Sequence, residues 1–184
     1  MENTNHEPNQ TTDRNRWLTG MFKDRESAER AYNAMHTRGY AADDVDIVMS
    51  DETRKKYFDK NDDDQTELGN KALEGAGAGS AIGGTLGAIA GVIAAAGTSL
   101  LIPGLGLIVA GPLAAGLAGA GAGGLTGGII GALIGRGIPE ERAKVYDEGV
   151  RNGRIVMGVR PRSDEDAEYL ENEWRNNQGE EIYR

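Results

Sequence analysis

From Gly75 to Gly135 the chain runs for sixty-one residues without a charged side chain. Within that stretch glycine recurs at Gly75, Gly79, Gly83, Gly87 and Gly91, and again at Gly119, Gly123, Gly127, Gly131 and Gly135. Residues four apart on a helix share a face, so each run predicts a groove free of side chains, drifting about 40° per step. The gaps hold Ala, Ile, Leu and Val rather than the Ser, Gln or Lys of a flexible linker. A glycine inside a helix costs about 1 kcal/mol relative to alanine, so ten of them ask for about 10 kcal/mol from close packing or lipid. The ten glycines are therefore the expected helix-packing interface. Pro103, Gly104 and Gly106 are the expected hinge between a helix over Gly75–Gly97 and one over Pro112–Gly135.

Averages over the whole chain hide this division. A mean hydropathy of -0.49 describes neither the zipper nor its polar, acidic flanks. The net charge of -9 comes without a basic stripe to neutralise phosphates, so nucleic acid is not an expected partner. Zero cysteines leave no disulfide frame, thiol nucleophile or thiolate metal site. The opening MENTNHEPNQTTDRNR has no apolar core, hence reads as neither signal peptide nor anchor, and the cytoplasmic side is the expected location.

Residues 1–15 read as a disordered tail. In residues 16–58, WLTGMF predicts a strand and Asp24 a helix cap. Ala28, Ala31, Tyr32 and Met35 fall at helical spacing, Gly39 ends the helix, and DVDIVMS predicts a second strand. Residues 59–74 form an acidic linker, and 75–135 the zipper. In residues 136–184, Pro139 with Glu140 and Glu141 starts a helix whose buried stripe is Ala143, Tyr146 and Val150. RIVMGVRP then predicts a strand, Ser163 a cap to a helix opening with Asp164, Glu165 and Asp166, and EEIYR a final edge strand. A weak repeat relates the halves: Glu26-Ser27-Ala28-Glu29 matches Glu165-Asp166-Ala167-Glu168, and Met35 matches Trp174. The fold class expected is α+β, a small ferredoxin-like domain (β-α-β twice) with helices on one face, interrupted by an α-helical glycine-zipper hairpin. Trp17 and Trp174 are expected core anchors of that sheet.

Three segments, GMFKDRESAERAYNAMHTRGY, LIPGLGLIVAGPLAAGLAGAGAGG and GIPEERAKVYDEGVRNGRIVMGV, carry a family likeness. On them the chain resembles the bacterial general stress protein 17M-like and heat-induced stress protein group, and related low-temperature-induced proteins with a glycine-rich hydrophobic middle. The likeness covers most of the chain from Trp17 to Val159; the acidic linker and polar tail have no counterpart in it. It implies a stress-associated, non-enzymatic protein and supplies no catalytic residues.

Motifs for chemistry are weak. GAGAGSAIGG has glycine spacings like a dinucleotide fingerprint, but the polar KNDDDQTELGNKALE stands where that motif needs a strand, and no GK[ST] follows. Asp59, Asn61 and Asp63 have calcium-loop spacing, yet Asp64 occupies the position of the turn glycine and Asn70 that of the closing glutamate. His36 ends a helix, where a cation suits the dipole, with no second ligand at metal spacing. Asp43, Asp44 and Asp46 lead into a strand without an identifiable base or nucleophile. No catalytic residue, cofactor, metal or small-molecule substrate is therefore expected.

The function expected is a stress-response protein that associates with membrane lipid and self-assembles through the zipper. Helices over Gly75–Gly97 and Pro112–Gly135 would span about 34 and 36 Å, against a bilayer core of roughly 30 Å. Small-residue packing is the usual contact between helices in lipid. Glycine and alanine insert poorly, however, and the apolar tip SLLIPGLGLIVAG suits a hairpin that dips rather than crosses. The alternative is a soluble or peripheral cytoplasmic homo-oligomer with zippers packed in a shared core.

Overall fold

The computed structural model describes residues 17–58, 89, 93, 100–102, 106–119 and 128–184. Among these the elements run β1 (Leu18–Phe22), α1 (Arg25–Thr37), β2 (Val45–Ser50), α2 (Asp51–Phe58), β3 (Leu100–Ile102) and β4 (Leu107–Ala110). They continue as α3 (Pro112–Gly119), α4 (Gly128–Gly135), α5 (Glu140–Arg151), β5 (Ile155–Val159), α6 (Asp164–Asn176) and β6 (Glu180–Tyr183). The fold is α+β. Its sheet has six strands in the order β3-β4-β2-β5-β1-β6, each pair antiparallel.

Local chemistry starts the helices where the sequence predicts. The Asp24 carboxylate accepts from the Ser27 amide at 2.8 Å, and Ser163 Oγ accepts from the Asp166 amide at 3.0 Å. Pro139 caps α5, and its carbonyl accepts from the Ala143 amide at 2.9 Å. An unpredicted helix, α2, begins where Ser50 Oγ accepts from the Thr53 amide at 3.1 Å.

Strands β1, β2 and β5 are buried along their whole length, so both faces of the sheet need cover. On one face Leu18, Phe22, Ile47, Met49, Ile155 and Met157 meet Met35 of α1 and Leu170 and Trp174 of α6. Trp174 is fully buried, edge-on to Phe22 with centroids 5.6 Å apart. On the other face Met21, Val48, Val109 and Val156 meet Leu113 and Leu117 of α3, Ile129 and Leu133 of α4, and Tyr146 and Val150 of α5. The expectation of helices on one face is corrected accordingly. Two helices cannot cover a sheet that is apolar on both sides.

The zipper region also differs from a helical hairpin. Its tip is a β-hairpin, in which β3 pairs with β4 and β4 with the edge of β2, from Ile47↔Ala110 to Ser50↔Leu107. The apolar, β-branched tip satisfies its backbone on the sheet while its side chains alternate into both cores: Ile108 and Ala110 enter one, Leu107 and Val109 the other. Nor is Pro112–Gly135 one helix. Gly128 opens α4 with φ of 55°, which interrupts the helical path. Earlier in the segment, the helical residues Ile89 and Ile93 pack with the α1–α6 face, opposite the face that α4 covers.

Candidate functional site

The most built-up polar cluster lies under α3 and α4. Alternation along β2 sends Ile47 to one core and Asp46 to the other, where Asp46 is 5% exposed. Its Oδ1 accepts from the Leu113 amide in the first turn of α3 at 2.6 Å. Its Oδ2 lies 3.1 Å from Arg136 Nη1, just beyond the end of α4. The Arg136 guanidinium in turn stacks on Trp17, 4.3 Å from the ring centroid. Burial pushes the Asp46 carboxyl up to about 6, although Arg136 and the Leu113 amide both favour the charged form.

Thr19, Val48, Leu133, Ile138, Val156 and Gly158 are among the other walls of a cavity of about 10 Å3. That volume holds about one water molecule, and the carboxylate and guanidinium neutralise each other across it. The arrangement holds secondary structure together and offers a small-molecule substrate no room.

Nearby, the Tyr146 hydroxyl donates to the Glu181 carbonyl at 2.7 Å and lies 2.9 Å from Thr19 Oγ1, joining α5 to β1 and β6. Burial pushes this phenol up to about 12. Arg142 reaches the Glu181 carboxylate. On the opposite face Glu29 of α1, 1% exposed, accepts from the Ile89 amide at 3.1 Å and lies 3.6 Å from Arg25 Nε. Two buried carboxylates thus hold backbone amides of the uncharged segment, one on each side of the sheet.

Of the expected packing glycines, Gly75, Gly79, Gly83, Gly87, Gly91, Gly123 and Gly127 lie outside the described residues, as do Pro103 and Gly104 of the hinge. Gly119 is the last residue of α3. Gly131 and Gly135 lie on α4, are exposed, and have no described atom within 4 Å of where a Cβ would stand. Gly106, with φ of 61°, precedes β4, so it belongs to a reversal between strands rather than helices. The acidic linker from Asp59 is outside the described residues, and among those described there is no group of three or more His, Cys, Asp or Glu suited to a metal. His36 is exposed in the last turn of α1, and Trp17 is only partly buried, as a platform for Arg136.

The sequence reading missed Asp46 as a structural centre. The available signal was an acid at the second position of VDIVMS, flanked by Val45, Ile47, Val48 and Met49. Its partners at Leu113 and Arg136 are far along the chain and have no sequence spacing that announces them. Comparison with family models, with curated proteins and with solved structures finds no match for this chain.

Proposed function

We propose that this is a non-enzymatic, stress-associated protein that self-assembles through the outward face of its α3–α4 layer. The observation that carries this reading is the bare helical surface of α4. Among the described residues nothing stands within 4 Å of where a Cβ on Gly131 or Gly135 would lie, and Ile134 beside them is 43% exposed. A backbone so exposed lets another helix approach closely. The partner proposed for this face is another copy of the chain; the described residues Ile89 and Ile93, from the end of the first glycine run, pack on the opposite side of the sheet. The stress association rests on the resemblance of the three segments quoted above. Within the sheet, the order β2-β5-β1-β6 with α1 and α6 on one face supports reading the central unit as ferredoxin-like.

Membrane lipid is the second reading, supported by the lack of charge from Gly75 to Gly135 and by Leu101 at 51% exposure on the outermost strand. Among the described residues no helix is long and apolar enough to cross a membrane. This reading therefore takes the form of a layer lying against or dipping into the bilayer.

Replacing Gly131 and Gly135 together by leucine separates the two. Leucine favours helix, and open space admits it, so the fold should persist. Self-assembly predicts a smaller particle by light scattering after chromatography, with Glu168→Leu at an exposed position of α6 as a control that leaves size unchanged. Lipid binding predicts the opposite trend, namely greater retention in membranes washed with alkaline carbonate. Unchanged size in the double variant would remove the α4 face as the assembly surface.

A further inference from the structure

We propose that Asp46 is a proton-controlled latch on the α3–α4 layer, tightening the layer on the sheet when it takes up a proton and loosening it when it ionises. The geometry is that of a latch. One buried carboxylate holds the layer at both ends, through the Leu113 amide at the start of α3 and through Arg136 just after α4. Among the described residues between these points, Leu113 and Leu117 of α3 and Ile129 and Leu133 of α4 cover the sheet.

The chain enters the layer at Gly111, with φ of 90°, and leaves it at Gly137, with φ of 86°. A left-handed glycine thus stands beside each attachment and lets the chain turn sharply there.

The charges around Asp46 decide the sign. Among the described residues lining its cavity, Arg136 is the charged group that faces it. From β1 the neighbour is Thr19, whose hydroxyl meets Tyr146; from β5 it is Gly158, and from α3 the Leu113 amide. One cation and one amide do not replace the lost hydration, so the docked carboxyl titrates at about 6, against 3.8 when solvated. The docked state therefore binds the proton more tightly, and docking strengthens as pH falls through 6 and weakens as it rises. A protonated Asp46 still accepts from the Leu113 amide, while its pull on Arg136 falls away. The latch thus does not depend on the ion pair being at full strength.

The test is hydrogen exchange by mass spectrometry on the full chain at pH 5 and pH 7.5, corrected for the intrinsic rate. Peptides from α3 and α4 should be protected about tenfold more at pH 5, the ratio that carboxyl values of 6 docked and 3.8 undocked imply. Peptides from α6, on the opposite face, should not follow. Asp46→Asn keeps the shape and the acceptor for Leu113, and should abolish the difference. Arg136→Gln removes the cation, so it should move the midpoint to higher pH. Carbon-13 titration of the Asp46 carboxyl in the unaltered protein supplies a reading independent of any variant. Equal protection at the two pH values, a response that persists in Asp46→Asn, or an Asp46 titration near 4 would overturn the latch.

Discussion

Gly111 carries the chain from β4 into α3 in a left-handed conformation, and a Cβ there would collide with the Val45 carbonyl. Two penalties coincide, the strain of φ of 90° on an L residue and a clash with backbone that β2 holds in place. Gly111→Ala should therefore cost about 3 kcal/mol, read as a lower urea midpoint at an unchanged slope. A loss below about 1 kcal/mol would mean that the β4–α3 connection moves freely past β2. The sequence reading did not single out Gly111, since twenty-eight glycines are present and nothing in their spacing distinguishes the one against a carbonyl. Asp24 and Ser163 were legible for the opposite reason: a cap acts on an amide three residues away, so its whole environment is local.

Among elements, the β3–β4 hairpin changes what the uncharged segment is for. By pairing with β2 it turns an open edge into an interior strand, and its side chains enter both cores. A chain lacking residues 75–135 would leave β2 unpaired on that side and uncover Val48 and Val156 where α3 and α4 now lie. Such a truncated chain should lose cooperative melting and its near-ultraviolet circular dichroism. A sharp transition like that of the full chain would place the stability in the remaining four strands alone. Helix α6 was legible because Ala167, Leu170 and Trp174 keep helical spacing behind a strong cap. The hairpin was not. Its apolar run suits a buried strand and a buried helix equally, and only the free edge of β2 decides between them.

Over the whole molecule, polar groups are spent on joining layers. Asp46 and Arg136 tie the α3–α4 layer to the sheet, Glu29 holds Ile89 on the other face, and Tyr146 ties α5 to β6. The expectation that the protein binds no ordinary nucleotide or metal can be tested directly. Calcium, zinc, ATP and NAD should each leave the melting temperature unchanged in a thermal-shift measurement. A specific ligand at a hundred times its Kd would add about 2.7 kcal/mol, a rise of several degrees. A rise with calcium alone would point to the acidic linker, whose Asp59, Asn61 and Asp63 have the spacing for it.

What the sequence determined by itself was whatever depends on neighbours within a few residues: the caps of α1 and α6, the buried stripes of Ala143, Tyr146 and Val150 and of Met35, and the α+β class those patterns add up to. Tertiary structure decided which face each helix took, that Leu107–Ala110 became a strand, and that Asp46 met Leu113 and Arg136. The physical reason is one of range. Capping and periodicity are energies of adjacent residues, whereas the pairing of β2 and the burial of its carboxylate depend on partners far along the chain, brought close only once both faces of the sheet are covered.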